Sequence, residues 1–331
     1  MLSRIPKVDF HVHLEGTITP ALARHIAARN KKEISPALLG DNDDHFLWQG
    51  GDTPQQALVS FLHAYDAATK VMACARDYAD ITYDYLRRAA AEGCIYAEPI
   101  ISADHGKMIG LSYVEMVGAI TEGYEKAKAE TGIEARFLSA CVRHFGPVQA
   151  LEAAKETRDN RHPLVTGFTM AGDENAFAVA DFRPAFDLAD MPYRNAHAGE
   201  AAGPDSIRAA RDILGIRRFG HMVRAGEDEG LMAELKKINA VPEVCVSSNL
   251  ALKVFKNYKE HPLRRFFDFG LKVTLGSDDP SFFGTSIGRE YQIAQDEFGF
   301  TDAELLRVTQ NALEEAFVDE KTRDKLLQSL A

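Results

Sequence analysis

A chain of 331 residues with 46% apolar content is long for one ordinary domain but normal for one α/β barrel, so a single domain over residues 1–331 is expected. Its 38 Lys plus Arg stand against 49 Asp plus Glu, and a net charge of -11 repels nucleic acid and anionic membranes, which leaves a neutral small molecule as the expected partner. Cys74, Cys94, Cys141 and Cys245 are too widely spaced for a disulfide framework or a Cys-x-x-Cys zinc knuckle, so any metal must be held by nitrogen and oxygen; oligomeric state is left open.

The N-terminal Met-Leu-Ser-Arg-Ile-Pro-Lys lacks the apolar segment of a signal peptide, and no run of 18 apolar residues occurs, so a cytoplasmic protein is expected. A first strand is predicted over 7–14. It carries His11-Val12-His13, and because strand side chains alternate, the two imidazoles share a face and could grip one ion together. Helical patterns follow at 19–30, 54–72 and 76–92. Between them, the turn-rich stretch 36–53 interrupts the first crossover, which predicts a helical insertion after strand 1 covering the barrel mouth. Further strands are predicted near 94–101, 135–142, 163–169, 193–198, 217–221, 240–246 and 271–276, with helices between. Eight strands alternating with helices argue for a parallel (β/α)8 barrel of the TIM type, whose functional groups gather at the C-terminal strand ends.

Three such ends carry chemistry. After the fifth strand comes His197-Ala-Gly-Glu200, after the sixth Arg218-Phe-Gly-His221, and after the eighth Ser277-Asp278-Asp279-Pro280. A catalytic zinc takes three or four protein ligands and keeps a position for water, whose pKa it lowers to about 7. His11, His13, His197 and Asp278 are the candidate ligands, leaving Glu200 and His221 for proton transfer and Asp279 for substrate. Each has an ordinary structural alternative: a core histidine, a helix N-terminal carboxylate, a helix cap. Jointly those alternatives fail, because every one of these sites would have to fall at a predicted C-terminal strand end by accident. The remaining histidines, His25, His45, His63, His105, His144, His162 and His261, read as surface or core residues.

Six motifs in order now stand out: Pro6-Lys-Val-Asp-Phe-His-Val-His-Leu-Glu-Gly16, Gly167-Phe-Thr-Met-Ala-Gly-Asp-Glu174, His197-Ala-Gly-Glu200, Arg218-Phe-Gly-His221, Glu243-Val-Cys-Val-Ser-Ser-Asn249 and Ser277-Asp-Asp-Pro280. Together they resemble the adenosine and adenine deaminase family of the amidohydrolase superfamily, over nearly the whole chain. The resemblance implies zinc-dependent hydrolytic removal of the 6-amino group of adenosine or adenine, giving inosine or hypoxanthine plus ammonia. It implies zinc on His11, His13, His197 and Asp278, with Glu200 giving a proton to purine N1. His221 would orient and deprotonate the water, assisted by Asp278, while Asp279 and the Gly172 backbone would contact N7 and N3. Two-metal relatives carry a bridging carboxylated lysine at the fourth strand, and the stretch Leu164–Gly172 has none, which implies one ion per chain. Phe61, Leu62 and Tyr65, in the run 57–65, resemble the family's helix over the pocket mouth.

Five positions depart from the family pattern. Glu15 stands where adenosine-specific members usually carry Asp; it resembles the adenine branch, and its extra methylene pushes the carboxylate into space a ribose would need. Met222 follows the histidine where glycine is usual, so its thioether is expected to narrow or reshape the pocket. Thr169-Met170 replaces Asp-Leu, and Val246 replaces Pro. Adenine, adenosine, 2′-deoxyadenosine, an N6-substituted adenine or a larger adenosine conjugate therefore all stay open as substrates. A missing phosphate-cradling glycine motif argues against nucleotides. The rival readings are a non-deaminating zinc hydrolase on the same barrel and a catalytically silent metal-binding protein.

Overall fold

The computed structural model describes residues 5–40 and 43–330. Eight parallel strands follow one another in chain order around a barrel: β1 (Lys7–His13), β2 (Cys94–Ser102), β3 (Phe137–Val142), β4 (Val165–Ala171), β5 (Tyr193–Ala198), β6 (Arg218–His221), β7 (Val241–Val244) and β8 (Thr274–Leu275). A two-residue segment, Glu134–Ala135, precedes β3 and pairs with β2. The ring closes just beyond β8, where Asp278 N–H donates to the His11 carbonyl at 2.7 Å and His13 N–H donates to the Asp278 carbonyl at 2.8 Å. Closure therefore sets the backbone of one candidate ligand directly against two others. Among the described residues no helix is long and apolar enough to cross a membrane.

Among the described residues, four α-helices occupy the first crossover: α1 (Pro20–Asn30), α2 (Pro36–Leu39), α3 (Pro54–Thr69) and α4 (Ala75–Ala91). The expected insertion is present. Its principal helix, α3, starts on a capping box in which Thr53 Oγ1 accepts from Gln56 N–H and Gln56 Oε1 accepts from Thr53 N–H, with Pro54 at the first helical position. Ala57, Phe61, Ala64, Tyr65 and Ala68 recur at helical spacing and are buried, which seats α3 on the barrel mouth. The last two strands are shorter than the apolar runs suggested. β7 stops at Val244 because the chain turns into a helix at Val246, with the amides of Val246 and Ser247 held by the buried Glu290 carboxylate at 3.0 and 3.3 Å.

Beneath the candidate site the barrel interior holds a charged layer. Arg218, at the start of β6, donates to Glu98 Oε2 on β2 and to Glu243 Oε1 on β7, both at 2.6 Å, and its guanidinium lies over the Phe10 and Phe317 rings at 4.0 and 3.6 Å from their centroids. All three charged residues are buried. One cation thus balances two carboxylates, and removing it leaves both uncompensated in a low-dielectric interior. Arg218→Met should therefore lower the unfolding free energy by about 3–5 kcal/mol in urea denaturation, despite preserving apolar volume; unchanged stability would contradict this account of the layer.

Candidate active site

The strand-end residues meet at the C-terminal mouth. His11 Nε2 lies 3.0 Å from His197 Nε2, His13 Nε2 lies 3.2 Å from the same nitrogen, and Asp278 Oδ1 sits 3.4 Å from His13 Nε2 and 3.7 Å from His11 Nε2. The ring orientations are fixed from behind. His11 Nδ1 donates to Glu243 Oε2 at 2.8 Å, and His197 Nδ1 donates to the Met170 carbonyl at 2.9 Å, so the Nε2 atom of each neutral ring carries a lone pair. Burial keeps them neutral: it pushes His11 and His13 well below the usual imidazole range and His197 down to about 4 against the pull of the Met170 carbonyl.

Two lone pairs 3.0 Å apart cannot form a hydrogen bond with each other. Separations of 3.0–3.7 Å among three imidazole nitrogens and one carboxylate oxygen do suit donors sharing one ion at about 2.0–2.2 Å each. The four residues therefore fit a single divalent metal. His221, Cys245 and Asp278 also bring donor atoms within 4.8 Å of one another, but burial pushes the Cys245 thiol well up, so it stays protonated and a poor ligand.

The quartet opens into a cavity at the barrel mouth. Leu58, Phe61, Leu62 and Tyr65 of α3 form an apolar wall, and Glu15, Gly172, Glu200, His221, Asp278 and Asp279 line it with polar groups. Glu200 is held by its backbone: the Glu174 carboxylate accepts from the N–H groups of Gly199, Glu200 and Ala202 at 2.7–3.0 Å. Burial, then the Asp278 and Glu174 charges, push the Glu200 pKa well up; burial and Asp278 do the same to Asp279. Asp279 Oδ1 and His221 Nε2 are buried and, among the described residues, have no hydrogen-bond partner; both residues line this cavity. Gly220 matters for close approach, since a Cβ there would lie 2.6 Å from His11 Cε1.

His221, Met222 and Asp278 all adopt left-handed backbone conformations, with φ of 62°, 59° and 59°. Such φ values cost a non-glycine residue roughly 1–3 kcal/mol each and gather at functional sites. Position 222 is thus one that glycine would occupy without strain. The expectation that Met222 reshapes the pocket is overturned: its side chain is fully buried in the main apolar core and does not line the cavity. Thr169 is also off the cavity wall; its hydroxyl donates to Asn195 Oδ1 at 2.9 Å, and Asn195 Nδ2 donates to Glu243 Oε1 at 2.9 Å, beneath His11. Val246 supplies the N–H to Glu290 that a proline would lack. Glu15 does line the cavity, with Oε1 accepting from Tyr78 OH at 3.0 Å.

Sequence reading left several site residues without roles. Glu174 and Glu243 sit inside quoted motifs, but only the fold reveals what they hold. His105 and His144, read as surface or core residues, line the cavity. His261, likewise set aside, is buried and bonded to Asn249 at 3.1 Å.

Residues 6–331 match the family model described as adenosine deaminase. An adenine deaminase of Agrobacterium fabrum is 43% identical over 336 residues, covering 100% of this chain and 99% of that protein. Among solved structures, the adenine deaminase of Arthrobacter aurescens superposes with a TM-score of 0.87 at 25% identity, covering 98% of each chain. An amidohydrolase from Burkholderia ambifaria with bound Zn shares the fold at a TM-score of 0.86 and 24% identity, over 99% of this chain and 93% of that one.

Because Glu243 fixes the lone pair of His11, Glu243→Gln should weaken divalent metal binding by about 10–100-fold, the usual effect of losing such a partner. Competition against a chromophoric chelator reads this directly. Unaltered affinity would show that the quartet does not depend on that hydrogen bond.

Proposed function

Since this chain belongs to the adenosine deaminase family, we propose that it hydrolyses adenine to hypoxanthine and ammonia with one zinc ion on His11, His13, His197 and Asp278. The observation that carries the reading is the juxtaposition of the facing quartet of three imidazoles and Asp278 with Glu200, a buried carboxyl whose pKa is raised, on one cavity. Free adenine is favoured by the full-length adenine deaminase relative and by Glu15, which brings a carboxylate held by Tyr78 into the cavity. Three nitrogens and one oxygen suit zinc among the common divalent ions.

When bound, the metal supplies Lewis acidity and a water whose pKa is lowered to about 7. The protein's own groups do the rest. Attack at C6 builds negative charge on the ring, and Glu200, held protonated by burial, transfers its proton to N1, so it stabilises the transition state more than the ground state. Asp279, also held protonated, donates to N7, and the Gly172 backbone N–H meets N3. His221 orients the attacking water, Asp278 receives one of its protons and passes it to the amino group, which leaves as ammonia, and the remaining hydroxyl proton returns to Glu200 as the 6-oxo group forms. The apolar wall of α3 packs on the purine face and excludes bulk water.

Ammonia release from a panel of adenine, adenosine, 2′-deoxyadenosine and N6-substituted adenines should show the highest kcat/KM for adenine; preference for adenosine would overturn the substrate assignment, and silence across the panel the reaction. Glu200→Gln should lower kcat for the preferred substrate by about 10²–10⁴-fold with little change in KM, as expected for a proton-transfer group. In the wild type, because the active form of Glu200 is the protonated one and its pKa is raised, the Glu200-dependent rate should persist through neutrality and fall on the alkaline side. An alkaline limb that survives unchanged in a partly active Glu200→Gln enzyme would contradict that role.

A further inference from the structure

Behind His221 lies a buried chain of polar groups whose hydrogen-bond directions are all determined by a single backbone amide. The Leu263 N–H can only donate, and it reaches His261 Nδ1 at 3.3 Å. His261 is buried and neutral, its pKa pushed down to about 3, so its one ring proton must be on Nε2. That nitrogen lies 3.1 Å from Asn249 Oδ1 and donates to it. The Asn249 amide is thereby oriented with Nδ2 inward, where it reaches His221 Nδ1 at 3.3 Å and Glu200 Oε1 at 3.5 Å. His221 Nδ1 must then be an acceptor, which leaves the proton on Nε2, the atom that faces the cavity 3.5 Å from Glu200 Oε2.

We infer that Asn249 and His261 are positioning residues, a relay that transmits the direction of the Leu263 amide to His221 and fixes it in the tautomer that presents an N–H to the reaction. The opposite tautomer would set the His221 Nδ1–H against the Asn249 N–H, two donors with no acceptor between them in a buried site. His221 is thus a hydrogen-bond donor to the attacking water in its resting state, and the water proton goes to Asp278. The same Asn249 amide touches Glu200, so one side chain sets the orientation of both groups that face the substrate. Position 249 closes one of the quoted motifs, yet position 261 carries no motif signal; only packing brings it to the site.

The tautomer can be read without substrate, from the 15N shifts of the His221 ring in long-range correlation spectra of 15N-histidine-labelled, zinc-loaded protein. The wild type should show the proton on Nε2. Asn249→Asp places a carboxylate that accepts from both neighbours, and it should move the His221 proton to Nδ1. His261→Phe makes the same test without adding a buried charge, by freeing the Asn249 amide to rotate, whereas His261→Gln restores a donor and should restore the wild-type shifts. The kinetic arm rests on the deaminase reading: Asn249→Asp and His261→Phe should lower kcat by about tenfold or more, as a wrong tautomer does, with KM nearly unchanged and His261→Gln recovering most of the loss. A wild-type His221 protonated on Nδ1, or shifts that stay unchanged in both Asn249→Asp and His261→Phe, would overturn the relay. A tautomer that switches as expected, in a protein that deaminates none of the panel, would uphold the relay and refute the reaction.

Discussion

Two imidazole lone pairs facing one another at 3.0 Å are the constraint on which the rest of this molecule depends. Left to themselves His11 and His197 would turn away or share a proton, and the fold prevents both. Glu243 and the Met170 carbonyl each take up one Nδ1–H, burial keeps the rings neutral, and the backbone bridge between Val12 and Asp278 delivers the carboxylate oxygen to the same point. Glu243 is itself steadied by Arg218 and Asn195, and Asn195 by Thr169. A site of unsatisfied electron pairs is thus built into the end of the barrel, and a bound divalent cation would resolve it.

The same region concentrates acid. Glu15, Glu200, Asp278 and Asp279 share one cavity; burial pushes the last three toward the protonated form, and the Asp278 charge adds to the push on Glu200 and Asp279. Where a cation binds Asp278, its charge draws that carboxyl back to the ionised state, while on the proposed reading Glu200 and Asp279 stay protonated as donors to a purine ring. One environment thus assigns different protonation states to neighbouring carboxyls. The left-handed backbone at His221, Met222 and Asp278 fits this picture, since strained positions persist only where surrounding structure holds them for a purpose.

Much of this was legible in the sequence because the barrel makes it so. Period-2 alternation put His11 and His13 on one face, and the rule that strand ends converge placed His197 and Asp278 beside them. The insertion was readable from its turn-rich composition and the apolar spacing of α3. What could not be read depends on packing across the barrel. Met222 is the instructive error: a thioether next to a pocket histidine was expected to narrow or reshape the pocket, but the backbone at 222 is left-handed and the side chain is buried in the core. Strand ends were imprecise where a side chain from far along the chain, Glu290, captures the amides that would have continued β7. Nothing local marks His105, His144 or His261 as different from any other histidine on a helix or loop.

The most direct test of the central claim is a crystal structure of the protein loaded with one equivalent of zinc, with anomalous differences measured on both sides of the zinc absorption edge. One strong peak per chain is expected, bonded by His11 Nε2, His13 Nε2, His197 Nε2 and an oxygen of Asp278, with Glu243 and the Met170 carbonyl still on the two Nδ1 atoms. No peak there, a peak elsewhere, or a second ion bridged to the first would contradict it.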